Sequence, residues 1–286
     1  MTAAVSRGWP APAKLNLFLH ITGRRADGYH LLQTLFQFLD YSDTLDFELR
    51  GDGQITRSNG PPEIAAADDL TVRAAQLLRT RSGVRQGADI HLHKRLPHQA
   101  GLGGGSSDAA TTLVALNRLW AVGLDTGELA TLALELGADV PVFVHGQAAW
   151  AEGVGEILTP VDPPKPWYLV VQPDCRIATR EIFQAPDLTR NSAAITISRF
   201  YAGEGHNDFE PVVRKRYPAV AEALDWLRQK APARLTGSGA CVFAAFEREV
   251  AAQHALSELP RGWRAFVARG SNRSPLLVRL AAEPAG

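Results

Sequence analysis

The run Pro97-His98-Gln99-Ala100-Gly101-Leu102-Gly103-Gly104-Gly105-Ser106-Ser107-Asp108 places four glycines within five positions. Glycine loses more conformational freedom on folding than any other residue, so such a run marks backbone that turns sharply or closely approaches another group. Ala109, Leu113, Leu116 and Trp120 recur at three- and four-residue intervals, which predicts a helix directly after the loop with Ser106 or Ser107 as its cap. The free N–H groups and positive end of that helix would face the glycines, and phosphate suits them. A Walker-type loop is excluded because Gly105 is followed by Ser106 without the required lysine, and the dinucleotide fingerprint wants glycine or alanine where Ser106 stands. A glycine-rich surface turn is the alternative.

Other residues carry chemistry by position. Ala13, Leu15, Leu17, Leu19 and Ile21 occupy alternate positions, as a half-buried strand requires, which puts Lys14, Asn16, Phe18 and His20 on the opposite face. Lys14 and Asn16 therefore point the same way. Asp139 follows Gly137, a C-cap for the helix carrying Leu129, Leu132 and Leu136, and precedes an apolar run over 140–144 expected to be a strand. A carboxylate at that junction can reach a cleft. Gly237-Ser238-Gly239 lacks the spacing of a nucleophile elbow, so a serine hydrolase is not supported. His91 and His93 share a strand face beside Lys94 and Arg95, with no third metal ligand in view, and are expected to be solvated.

The elements that position these groups alternate between strand and helix patterns. Asp27-Gly28 predicts a tight turn, and Leu45, Phe47 and Leu49 a further strand. A helix is expected over 70–80, then a strand through Ile90, Leu92 and Leu96 ending at Pro97. Four prolines within Pro160–Pro166 mark a linker. Beyond it, strands are expected over 167–171, 242–246 and 265–268, with helices starting near Asn207–Glu210 and over 219–227 and 250–259. Mixed elements on both sides predict two α+β domains, 1–159 and 160–286.

The chain has 286 residues, enough for one large or two ordinary domains, with 45% hydrophobic and 21% charged residues, ordinary globular values. Thirty Lys and Arg balance thirty Asp and Glu, so no global field draws the protein to nucleic acid or anionic lipid, and any anion site must be local. No uncharged apolar stretch nears the ~18–20 residues of a membrane span, and no leader pattern opens the chain. The two cysteines, Cys175 and Cys241, form no disulfide framework or thiolate metal motif, which fits a reducing cytoplasm; Cys241 is expected to be a buried small apolar residue.

The glycine loop with Asp108-Ala109-Ala110 resembles the ATP-phosphate loop of the GHMP kinases, the family of galactokinase, homoserine kinase, mevalonate kinase and phosphomevalonate kinase. Pro12-Ala13-Lys14-Leu15-Asn16-Leu17 resembles the family's first motif, and Leu235-Thr236-Gly237-Ser238-Gly239-Ala240-Cys241 its third, a glycine turn beside the substrate. Four segments resemble one member closely: Asp27-Gly28-Tyr29-His30-x-Leu32-Gln33-Thr34, Gly137-Ala138-Asp139 through Phe143, Glu152-Gly153-x-Gly155-Glu156, and Asn207-Asp208-Phe209-Glu210. That resemblance implies a two-domain GHMP kinase fold, an N-terminal ATP-binding domain with a left-handed βαβ unit and a C-terminal α+β substrate-binding domain, with the active site between them.

It also implies roles. Asp139 would be the general base and Lys14 would orient the attacking hydroxyl, a division suited to phosphoryl transfer, which depends mainly on positioning and cations. ATP would be held by Lys94 and by Pro97, His98, Gln99, Ala100, Gly101, Leu102, Gly103, Gly104, Gly105, Ser106 and Ser107, with Mg²⁺ arriving on its phosphates. The acceptor would be a cytidine diphosphate-linked polyol, with Asn16, Gly237, Ser238 and Gly239 near the polyol and Tyr29, His30, Thr179 and Phe183 around the base; an aromatic face stacks on cytosine and an imidazole pairs with its edge. Two departures affect the nucleotide side: Gln99-Ala100 where the loop often has more glycine, and Asp69 where asparagine is frequent. A cytoplasmic monomer or weak homodimer without nucleic-acid or membrane partners is expected. The alternatives are another small-molecule kinase of the family, separated by its acceptor, and a silent nucleotide-binding protein, against which Lys14 with Asp139 argues.

Overall fold

A computed structural model describes residues 5–60 and 64–283. In chain order the elements are β1 (Val5–Arg24), β2 (His30–Arg50), β3 (Ile55–Ser58), α1 (Leu70–Ser82), β4 (Gly87–His93), α2 (Gly104–Leu119), α3 (Thr126–Leu136), α4 (Val140–His145), β5 (Ala149–Glu152) and β6 (Ile157–Pro160). Then come β7 (Trp167–Gln172), α5 (Thr179–Phe183), α6 (Ile197–Tyr201), α7 (Glu210–Arg216), α8 (Pro218–Arg228), β8 (Ala233–Leu235), β9 (Val242–Phe246), α9 (Glu249–Ser257), β10 (Arg264–Ser271) and α10 (Pro275–Ala282).

The first two strands, 20 and 21 residues long, far exceed the usual five or six and form one hairpin closed at Gly28, whose φ of +90° admits the turn without a Cβ clash. Their pairing slips at Pro12/Lys14 and at Asn16/Leu19, so β1 bends on both sides of Lys14 and Asn16. Pro12 cannot donate to a ladder, and a bulge is where a strand tolerates it. β2 pairs β4 along 44–50, β5 along 34–36 and β10 at Leu39 and Phe38, which joins both halves of the chain into one sheet of order β3-β4-β2-β10-β7-β9-β8. The parallel pair β3 and β4 is connected through α1.

Three apolar cores result. One packs α1 to α4 on the first half of the sheet, with Phe38, Leu113, Leu116 and Phe143 fully buried. A second packs α7 and α8 on β7 to β9. The third, with Leu15, Leu35, Leu96, Val170 and Cys241, lies where the halves meet, so the middle of β1 is sealed from both sides. The chain returns at its end: Leu276 of α10 enters the first core, and the Arg279 guanidinium lies 4.7 Å from the Trp9 ring centroid.

Three expectations are corrected. The strand expected to end at Pro97 stops at His93, because the Arg95 and Leu96 N–H groups turn to Asp43 Oδ1 instead of a neighbouring strand. Residues 140–144 form helix α4, not a strand; an apolar run of five has no periodicity to decide, and Pro141 fits a first helical turn where a central strand would reject it. The helix after the glycine loop starts at Gly104 with Gly103 as its N-cap at φ +72°, so Ser106 and Ser107 lie in its first turn. No side chain caps that terminus, which leaves its first N–H groups for another acceptor.

Candidate active site

One cavity of about 1200 Å³ opens between the two halves. Every residue given a catalytic, ATP-binding or substrate-binding role from the sequence lines it except Leu102, Ser107 and Gly239. Leu102 is buried in the third core, with its carbonyl accepting the Lys14 N–H at 3.0 Å. The Ser107 hydroxyl is fully enclosed without a partner, and Gly239 closes the turn by donating to the Thr236 carbonyl at 3.0 Å.

Lys14 is firmly held. Only 3% exposed, its Nζ donates to Asn16 Oδ1 at 2.5 Å and to the Gly101 carbonyl at 3.3 Å, and lies 3.3 Å from Asp139 Oδ2. Asn16 is itself braced: its Nδ2 donates to Thr34 Oγ1 and its N–H to Thr236 Oγ1, both at 3.0 Å. Asp139 occupies the N-cap of α4 but its side chain does not cap the helix, so the carboxylate stays 39% exposed to the cavity. A fixed ammonium beside a free carboxylate is a pair that can hold a hydroxyl and take its proton.

The glycines are explained by contact. At Gly101, φ +77°, a side chain would fall on the Thr236 carbonyl; at Gly103 it would lie 2.8 Å from the Phe143 ring and 3.1 Å from Lys14 Cε. The phosphate loop and the turn over 236–239 therefore pack back to back, further tied by Cys241 N–H to the Ala100 carbonyl at 3.1 Å. Cys241 is fully buried, which drives its thiol well above the usual value and leaves it inert.

Lys94 also borders the cavity, but its Nζ pairs with Asp43 at 2.5 Å and Asp108 at 2.9 Å. Burial alone would lower the Lys94 pKa; the carboxylates of Asp108 and Asp43 outweigh it and hold the ammonium charged. Burial pushes the Asp108 carboxyl up to about 8 against the pull of Lys94, and its second oxygen has no partner. Asp43 is fully buried and also accepts the Arg95 and Leu96 N–H groups at 2.5 and 2.7 Å, so it fixes the loop's entry. Asp69 does not line the cavity: it caps α1, accepting from Thr71 N–H at 2.8 Å, and pairs with Arg57 at 2.6 Å, while Leu70 faces inward.

At the other end, Tyr29 is 63% exposed on the rim, and His30 stacks on Phe183 with centroids 4.9 Å apart. Arg190 Nε donates to His30 Nε2 at 3.2 Å, which leaves the proton of the neutral ring on Nδ1. Burial, with Arg190 and Arg24 nearby, lowers the His30 pKa and keeps the ring neutral. Thr179 and Ser238 join their hydroxyls at 2.8 Å. Sequence reasoning missed Asp43, Asp108, Thr236 and the cavity arginines Arg24, Arg180 and Arg190. Asp108 and Thr236 stood inside recognised motifs, a signal to hand; Arg190 had none.

A family model described as the GHMP kinases N terminal domain matches residues 69–147, and one described as GHMP kinases C terminal matches 180–265. The chain belongs to the GHMP kinases, whose members are ATP-using kinases of small molecules. It is 62% identical to the 4-diphosphocytidyl-2-C-methyl-D-erythritol kinase of Alkalilimnicola ehrlichii, over 97% of this chain and 96% of that one. It is 58% identical to the enzyme of that name from Nitrosococcus oceani, over 94% and 96%. A crystal structure of 4-(cytidine 5'-diphospho)-2C-methyl-D-erythritol kinase matches with a TM-score of 0.80 at 33% identity, over 94% of this chain and 99% of that chain. Among the described residues no helix is long and apolar enough to cross a membrane.

Proposed function

We propose that the protein transfers the γ-phosphoryl group of ATP to the 2-hydroxyl of 4-diphosphocytidyl-2-C-methyl-D-erythritol, giving the 2-phosphate and ADP in non-mevalonate isoprenoid biosynthesis. The observation that carries the reading is the Lys14–Asp139 pair, 3.3 Å apart, set in one cavity between the glycine loop and the aromatic rim. Near-full-length relatives at 58–62% identity supply the substrate.

In this reading the uncapped N–H groups at the start of α2 hold the ATP phosphates. Lys14 stays protonated and orients the 2-hydroxyl towards the γ-phosphorus. Asp139 takes the hydroxyl proton as the oxygen attacks, and the bond from the γ-phosphorus to its bridging oxygen breaks with ADP leaving. Asn16 and the turn at Gly237 to Gly239 lie against the polyol. Tyr29 and Phe183 flank cytosine, His30 offers its Nδ1–H to a ring acceptor, and Thr179 supports the base side.

Magnesium neutralises the β- and γ-phosphates when bound. The ion would arrive on ATP, and Ser106, on the cavity wall within the phosphate loop, would help to hold it. The 1–159 range is assigned to ATP and 160–286 to the substrate, with α10 crossing back onto the first core. We also infer a cytoplasmic monomer or weak homodimer without nucleic-acid or membrane partners. Coupled ADP release tests the activity: turnover with the cytidine-linked alcohol and none with mevalonate or homoserine is expected, and no turnover of the first would overturn the assignment.

A further inference from the structure

Behind the phosphate loop lies a second cavity of about 360 Å³, where the entry segment Lys94 to His98 faces the ends of β7 and β10. Three arginines converge on it from separate places: Arg95 in the entry segment, Arg176 beyond β7 and Arg264 at the start of β10. Among the described residues no carboxylate pairs with any of these three guanidinium groups, whereas Arg50, Arg57, Arg199 and Arg214 each have one. In a chain of zero net charge this is a concentrated local excess of positive charge.

The cavity is also built rather than merely charged. The Arg95 guanidinium lies 3.8 Å from the Tyr41 ring centroid, and the Phe266 ring lies 3.8 Å from the same centroid at an interplanar angle of 12°. Two groups at that distance must occupy opposite faces, so Tyr41 is held between Arg95 and Phe266. The stack fixes the guanidinium plane while leaving its N–H edge for an acceptor. Arg264 shares a face with Phe266 two residues on, and Gln172 is its partner across β7 and β10, which adds an amide donor to the same wall.

We propose that this cavity, which meets the kinase cavity along a shared wall of Lys94, Pro97 and His98, is a second anion site, for a small molecule bearing a diphosphate group. One stacked guanidinium and two exposed ones on the facing wall can meet several phosphate oxygens at once, which a single carboxylate would not satisfy. The volume sits at the small end of ligand pockets, which run from roughly 300 to 1000 Å³. Because Arg95 belongs to one wall and Arg176 and Arg264 to the other, the bound anion bridges the two halves of the chain.

The test is isothermal titration with inorganic pyrophosphate and, in parallel, methyl diphosphate, while an ATP analogue and the cytidine substrate saturate the larger cavity. Saturable binding of at least one of them is expected; tighter pyrophosphate identifies a free anion as the ligand class, tighter methyl diphosphate an ester. Arg176→Gln and Arg264→Gln should each weaken that binding by about tenfold or more, and Arg180→Gln, in the larger cavity, should leave it unchanged. The proposal is overturned if neither compound binds the wild-type protein, or if neither Arg176→Gln nor Arg264→Gln weakens binding.

Discussion

Replacing Asp139 by Asn keeps the shape of the side chain and removes its charge. The fold should tolerate this, because Lys14 retains Asn16 Oδ1 at 2.5 Å and the Gly101 carbonyl at 3.3 Å, and Asp139 is 39% exposed, where an ion pair contributes at most about 1 kcal/mol. Among the described residues the ion pair of Asp139 is with Lys14, which in turn holds the phosphate loop at the Gly101 carbonyl, so nucleotide affinity should hold. Catalysis should not: a positioned base contributes about 10²–10⁴-fold, or about 3–5 kcal/mol of barrier. Single-turnover and steady-state ADP release should show kcat reduced by that range, with a melting temperature and ATP-analogue Kd near wild type. A near-wild-type kcat would refute the role of Asp139. A loss of analogue binding equal to the loss of kcat would show that the residue shapes the nucleotide site instead.

Gly101→Ala should destabilise by about 2–4 kcal/mol, seen in denaturant unfolding, because it combines a left-handed residue with a side chain driven into the Thr236 backbone. Tyr29→Ala should raise KM for the cytidine substrate with ATP affinity and melting temperature unchanged, since the ring is 63% exposed; an unchanged KM would make Tyr29 a bystander. Asp108→Asn tests the buried acid through pH. Its folded pKa, raised to about 8, favours folding fully below the ordinary 3.8, and that contribution is lost as pH rises through about 8. The variant should therefore gain melting temperature relative to wild type between pH 5 and pH 9, and a flat difference would mean that Asp108 is charged throughout.

Local signals carried far. The shared face of Lys14 and Asn16 was legible because strand alternation is a two-residue period, and the glycine loop because its composition is costly without a reason. What the pattern missed depends on long-range contacts. Lys94 was assigned to ATP without its carboxylate partners; Asp43 and Asp108 are 51 and 14 residues away and reach it only after β2, β4 and α2 assemble. The reversal of 140–144 from strand to helix has the same origin, since burial on every side erases the periodicity that separates the two. Ser106 or Ser107 was expected to cap a helix whose N-cap is Gly103, three residues before Ser106, because the left-handed turn at Gly103 lets the backbone itself begin it. Arg190, which orients His30 from 160 residues away, had no local pattern to betray it.

The central claim is most directly tested by the product. Purified protein incubated with ATP, magnesium and 4-diphosphocytidyl-2-C-methyl-D-erythritol should yield ADP and, in ³¹P NMR, one new phosphomonoester at the 2-position beside an intact cytidine diphosphate. Release of inorganic phosphate without that ester, or phosphorylation at another hydroxyl, would contradict the account.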